Sequence, residues 1–117
     1  MLRASVEHAG GRVDLRALVD RSVDSGVAHG GALLTFADAA TGTDPVALKS
    51  ARADLQRALS PGALVQAAAI VANFAMNDRA ANALGIVLEA MFVRGSADFR
   101  QTLGIDRYPS ARNTLRD

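Results

Sequence analysis

Few residues in this chain are of types that do chemistry. His29 lies in the run GVAHGGALL, directly before Gly30-Gly31 and an apolar-periodic stretch. A helix starting there aims free N–H groups at the imidazole and favours its neutral form. A neutral imidazole suits a general base, a hydrogen-bonding clamp or a ligand contact, and equally a capping or loop position. Gly30-Gly31 before a helix can present N–H groups to an anion; a tight helix–helix turn uses the same residues. His8 sits in a polar N-terminal stretch, and no carboxylate stands at helical ligand spacing beside His29, so no metal centre or other cofactor is expected.

The second set is a row of amides. At about 100° per residue, Gln66, Asn73 and Asn77 fall within roughly 40° of one another on a helix. They interrupt the run SPGALVQAAAIVANFAMNDRAANALG, which is otherwise apolar on nearly every side. Buried amides without partners cost on the order of 1–3 kcal/mol each. The row therefore reads as helix–helix or subunit hydrogen bonds, or as the polar wall of a small-molecule pocket. Asp78 and Arg79 lie off the row; Arg79 suits an ion pair with another helix or subunit, or an anion. No dinucleotide, P-loop or nucleophile-elbow glycine pattern is present.

These residues need helices to position them. Residues 60–85 read as one long central helix, with Ser60 as N-cap, Pro61 at the first position and Gly85 just past the end. A helix apolar all round is a buried one, and Asn73, Asn77, Asp78 and Arg79 arrive too soon for a membrane span of about 20 apolar residues. Asp14 caps a first helix carrying Leu15, Leu18, Val19 and Val23, closed by Gly26. A second holds Leu33, Leu34, Phe36, Ala37 and Ala40. Asp44-Pro45 opens a third, burying Leu48, Ala51, Leu55, Ala58 and Leu59 and leaving Lys49, Arg52, Asp54, Gln56 and Arg57 to solvent. The run IVLEAMFV at 86–93 fits a short helix or extended coil, and Ser96 caps a last helix holding Phe99 and Leu103, closed by Gly104. No stretch alternates with period two. The expected architecture is all-α: about five helices around one long buried central helix. Residues 1–12 make an N-terminal arm, 13–104 the helical domain and 105–117 a C-terminal tail.

Composition narrows the functions. Half of the 117 residues are hydrophobic but only 4% are aromatic, so the core is aliphatic. Thirteen basic against twelve acidic residues give no field to draw nucleic acid or an anionic membrane. The chain has no cysteine, which removes thiol peroxidase, thiol protease, iron–sulfur and cysteine-zinc chemistry. The first twelve residues contain no apolar core of signal-peptide length, and the expected location is the cytoplasm.

The order LLTFADAA, helix, RALSPGALVQAAAIVANFAMNDRAANALGI resembles the C-terminal half of the carboxymuconolactone decarboxylase and alkylhydroperoxidase D-like proteins. The matching positions are Leu59, Ser60, Leu64, Val65, Ala67, Asn73, Phe74, Arg79, Leu84, Gly85 and Ile86, within residues 30–90. The resemblance implies an all-helical fold, homo-oligomers such as trimers or hexamers, and an upstream active-site helix with a Cys-x-x-Cys and a nearby His. With no cysteine here, that redox chemistry does not carry over, and His29 does not occupy the family's motif. The expected protein self-associates through apolar helix faces, with a small-molecule pocket beside Gln66, Asn73 and Asn77. The alternatives are a non-redox enzyme using His29 as acid–base group, in lactone or small-acid chemistry, and a non-catalytic subunit of a larger partner.

Overall fold

The structure, a computed structural model, describes residues 12–113. The expected arm at 1–12, with His8, lies outside the described residues apart from Arg12, as does the tail beyond 113. Five α helices follow in order: α1 (Gly30–Thr41), α2 (Pro45–Ala58), α3 (Pro61–Leu84), α4 (Ala90–Gly95) and α5 (Ala97–Leu103). Short 3-10 turns occupy Leu15–Leu18, Ile105–Arg107 and Pro109–Asn113. Among the described residues there is no strand, and the fold is all-α. None of these helices is long and apolar enough to cross a membrane. The chain divides into two compact units, Met1–Ala75 and Met76–Asp117, with α3 contributing residues to both.

In the first unit, α1 and α2 pack along one another. Asp44 starts α2 as the sequence requires: its Oδ1 accepts from the N–H groups of Val46 (2.8 Å) and Ala47 (3.2 Å), with Pro45 beside it. Phe36 of α1 meets Ala51 and Leu55 of α2 in the core, and Leu33, Leu48, Leu59, Leu64 and Val71 cover them. Leu55 is 0% exposed. The solvated face of α2 is also as expected: Lys49, Arg52, Asp54, Gln56 and Arg57 are exposed. Ala58 is exposed as well, although its spacing placed it on the buried side.

The helix expected from Asp14 to Val23 is reduced to the single turn Leu15–Leu18. The cause is local. Asp14, Asp20 and Asp24 each accept, through Oδ1, from the N–H two residues on, at Arg16, Ser22 and Gly26, all at 2.9 Å. Such side-chain turns compete with the helical ladder for the same N–H groups. The guanidinium of Arg16, hydrogen-bonded to Asp14, and then the Arg16 N–H hold that carboxyl well below the usual range, at about 2. The Ser22 hydroxyl and N–H likewise lower Asp20.

Helix α3 has both expected end signals. Ser60 Oγ accepts from Ala63 N–H at 3.2 Å. At the other end Gly85 takes φ 63°, while Ile86 N–H bonds back to Ala81 and Gly85 N–H to Asn82. That pair of reversed bonds needs a left-handed residue, which glycine supplies without a Cβ clash. The burial expected of this helix is not found. None of its residues is buried. Only a narrow side, with Leu64, Ala67 and Val71, packs against the core of the first unit.

In the second unit, residues 86–89 are irregular and α4 begins at Ala90, so the ambiguous run is part coil and part helix. Ser96 precedes α5 but does not cap it. Its hydroxyl donates back to the Phe92 carbonyl at 2.7 Å. Arg100 ties the unit together. Its Nε donates to Ser96 Oγ (3.0 Å), Nη2 to the Val93 carbonyl (3.0 Å) and Nη1 to Asp106 (2.8 Å), with its side chain only 13% exposed. Leu103 is this unit's one buried hydrophobic among the described residues, and Gly104 closes α5 in the left-handed conformation.

Candidate functional site

His29 is the residue before α1, and its carbonyl accepts the first helical bond, from Leu33 N–H at 3.1 Å. The side chain is exposed and makes no capping bond. The backbone is left-handed, φ 58° and ψ 19°, the only such non-glycine conformation among the described residues. The next position explains why the chain turns so tightly. Gly30 is buried, and a Cβ there would overlap Ser25 Oγ. His29 therefore absorbs the turn that a glycine would make more cheaply. A left-handed non-glycine residue costs roughly 1–2 kcal/mol, partly offset by glycine's greater freedom when unfolded. His29→Gly is expected to stabilise the chain by about 1 kcal/mol in urea denaturation. An unchanged or lower midpoint would show that the imidazole holds the turn in place.

The amide row is real as geometry and open as environment. Gln66, Asn73 and Asn77 all project from α3, and all three are exposed. Gln66 and Asn73 belong to the first unit, Asn77 to the second. Neither these amides nor His29 are among the residues lining the groove beside α1 and α2. Arg79 is exposed on α3 and makes no ion pair among the described residues.

Around the amides the helix surface is apolar. Val65 (68% exposed), Ile70 (59%) and Phe74 (62%) stand in water within the first unit. The second unit exposes Met76, Leu84, Ile86, Met91 and Phe92 in the same way. Isolated apolar side chains on a surface are ordinary, but contiguous groups mark sites where something else packs.

An open groove of about 590 Å³ runs beside α1 and α2 in the first unit, and the sequence reading did not anticipate it. Thr35, Asp38, Asp44, Ser50, Asp54 and Arg21 contribute its polar groups. Its carboxylates are already engaged: Asp38 with Arg21, Asp54 with Arg57, and Asp44 with the start of α2. The available signal was the run of short residues at helical spacing, Thr35 and Asp38 on α1 with Gly42 just past its end, and Ala47, Ser50, Ala51 and Asp54 on α2, which leaves a furrow where long side chains would fill it. Among the described residues no group of three or more His, Asp or Glu could hold a metal ion. No family model, curated protein or solved structure matches this chain.

Proposed function

We propose that this chain works as a homo-oligomeric helical protein, assembled through the outer face of α3 and without thiol redox catalysis. The observation that supports this reading is that a 24-residue helix carrying Val65, Ile70 and Phe74 has no buried residue in the single chain. Complete burial of such a side chain is worth about 1.5–3 kcal/mol. Three per copy, doubled across a symmetric contact, give a driving force on the scale that association needs. The small internal cores point the same way: beside Ala17, the first unit buries Phe36, Ala51 and Leu55, and the second buries Leu103. Domains with so little core commonly depend on oligomerisation.

The resemblance to alkylhydroperoxidase D-like proteins fits this reading as a reduced relative. The pattern from Leu59 to Ile86 is retained, and the absence of cysteine removes the redox step. A second reading, small-molecule binding, draws support from the groove beside α1 and α2, whose volume lies in the range of ligand sites. Acid–base catalysis by His29 has less support, because the ring is exposed. The solution mass separates the first reading from the rest. Assembly well above the 12.2 kDa of one chain supports it, and a 12.2 kDa particle at every concentration rejects it.

A further inference from the structure

We propose that residues 14–25 form a hinged cover for the groove beside α1 and α2, tethered by the Arg21–Asp38 ion pair and released when that pair is broken or screened. Such a device works within one chain, whatever its oligomeric state. All the residues involved belong to the first unit. The segment is a closed loop, because Asp14 N–H donates to the Ser25 carbonyl at 3.0 Å. Beside that bond Gly26, at φ 73°, lies so close to the incoming chain that a Cβ would stand 2.3 Å from the Arg12 carbonyl oxygen. Loops whose ends are joined in this way are compact and packed by their own side chains. This one satisfies its polar groups locally. Asp14, Asp20 and Asp24 accept from the N–H groups of Arg16, Ser22 and Gly26, and the N–H groups of Val19 and Val23 bond back to Arg16 and Asp20. Those bonds survive a displacement of the loop as a whole. The base is pinned where Gly26 meets Arg12, so the displacement is a swing of the tip, residues 19–23, about that base.

Little attaches the loop to the helices. Ala17 is its one buried residue, a single methyl group. Arg21 makes its one hydrogen bond to a helix among the described residues, from Nη2 to Asp38 of α1, while Nη1 donates to the Ala17 carbonyl. The same side chain is the loop's one contribution to the groove, since every other lining residue lies between Thr35 and Asp54. The group that holds the loop down is thus also the group that the loop places in the groove. Both partners stand largely in water, with side chains 40% and 64% exposed. An exposed pair of this kind shifts an equilibrium by up to about fivefold and weakens as salt is added. Segments held by so few contacts open locally, far more readily than the whole chain unfolds. In the open form the guanidinium has left the groove, and Asp38 remains in its lining without that partner. A ligand that takes the place of Arg21 on Asp38 selects the open form.

The chain has no cysteine, so introduced thiols are the only ones present. Spin labels on Val19→Cys in the loop and Gln56→Cys on α2, both exposed positions, read the swing as a distance distribution. Dilution with excess unlabelled chain removes any signal between copies, and circular dichroism checks that each variant keeps its helices. At low salt the expected result is one dominant, closed distance. Asp38→Asn, or salt at about 1 M, raises the ratio of a second, longer distance to the first by about twofold to fivefold, and salt adds nothing further to Asp38→Asn. Exchanging the charges, Arg21→Asp together with Asp38→Arg, restores the closed distance. A distribution unchanged by Asp38→Asn overturns the tether, whatever salt does. A single broad distribution in place of two distances means that the loop melts instead of swinging, and overturns the cover.

Discussion

Leu55→Ala is expected to cost about 3 kcal/mol, within the roughly 2–5 kcal/mol seen for emptying a packed Leu site. Among the described residues Leu55 is the one side chain that is fully buried, and it packs with Phe36 of α1 and Ala51 of its own helix. The residues packed in its cluster are mostly alanine and leucine, carried on α1, α2 and α3. Removing its isobutyl group therefore leaves a cavity at the centre of the first unit. For a chain of this size, 3 kcal/mol lowers the thermal midpoint by more than 10 °C, at about 4–8 °C per kcal/mol. A shift of under 3 °C in a melt followed by circular dichroism would mean that the α1–α2 core does not hold the unit together. Ala58→Ser, on the same helix but exposed, is the matched control.

Ile70→Asp is expected to have the opposite profile: little effect within a chain and a large one between chains. The side chain is mostly in water and lies outside the core cluster, so its replacement removes little internal packing. Where copies associate through the outer face of α3, as proposed, a carboxylate at position 70 is desolvated in the contact. Weakening of self-association by at least a hundredfold is expected, equivalent to about 2.8 kcal/mol at about 1.4 kcal/mol per decade. Sedimentation across a concentration series reads this directly. If the variant associates as tightly as the unaltered chain, the outer face of α3 is not the contact.

Local chemistry was legible in the sequence and coverage was not. Asp44-Pro45 and Ser60-Pro61 start α2 and α3 because a side-chain oxygen and a proline act within three residues of themselves. Gly85 ends α3 for an equally local reason. The segment after Asp14 misled because its apolar spacing is helical, while three aspartates at 14, 20 and 24 bind the N–H groups a helix needs. Counting aspartates two residues ahead of free N–H groups would have anticipated this. Arg100 was invisible, since its partners Val93, Ser96 and Asp106 come together only once α4 and α5 have formed.

The candidate site divides along the same line. The alignment of Gln66, Asn73 and Asn77 follows from helical geometry alone and needed no structure. Their exposure did not follow, because an apolar helix looks the same to a sequence pattern whether its own chain or another covers it. The groove beside α1 and α2 arises from the absence of bulk across two helices, a property of their packing rather than of either helix.

Sedimentation equilibrium of the unaltered chain, from about 1 to 100 μM, bears most directly on whether α3 is covered by another copy. The Kd range this brackets corresponds to roughly −8 to −5.5 kcal/mol. The account predicts a mass at or above twice 12.2 kDa at the upper end of that range. A constant 12.2 kDa throughout would contradict it, leaving Val65, Ile70 and Phe74 in water in the working protein.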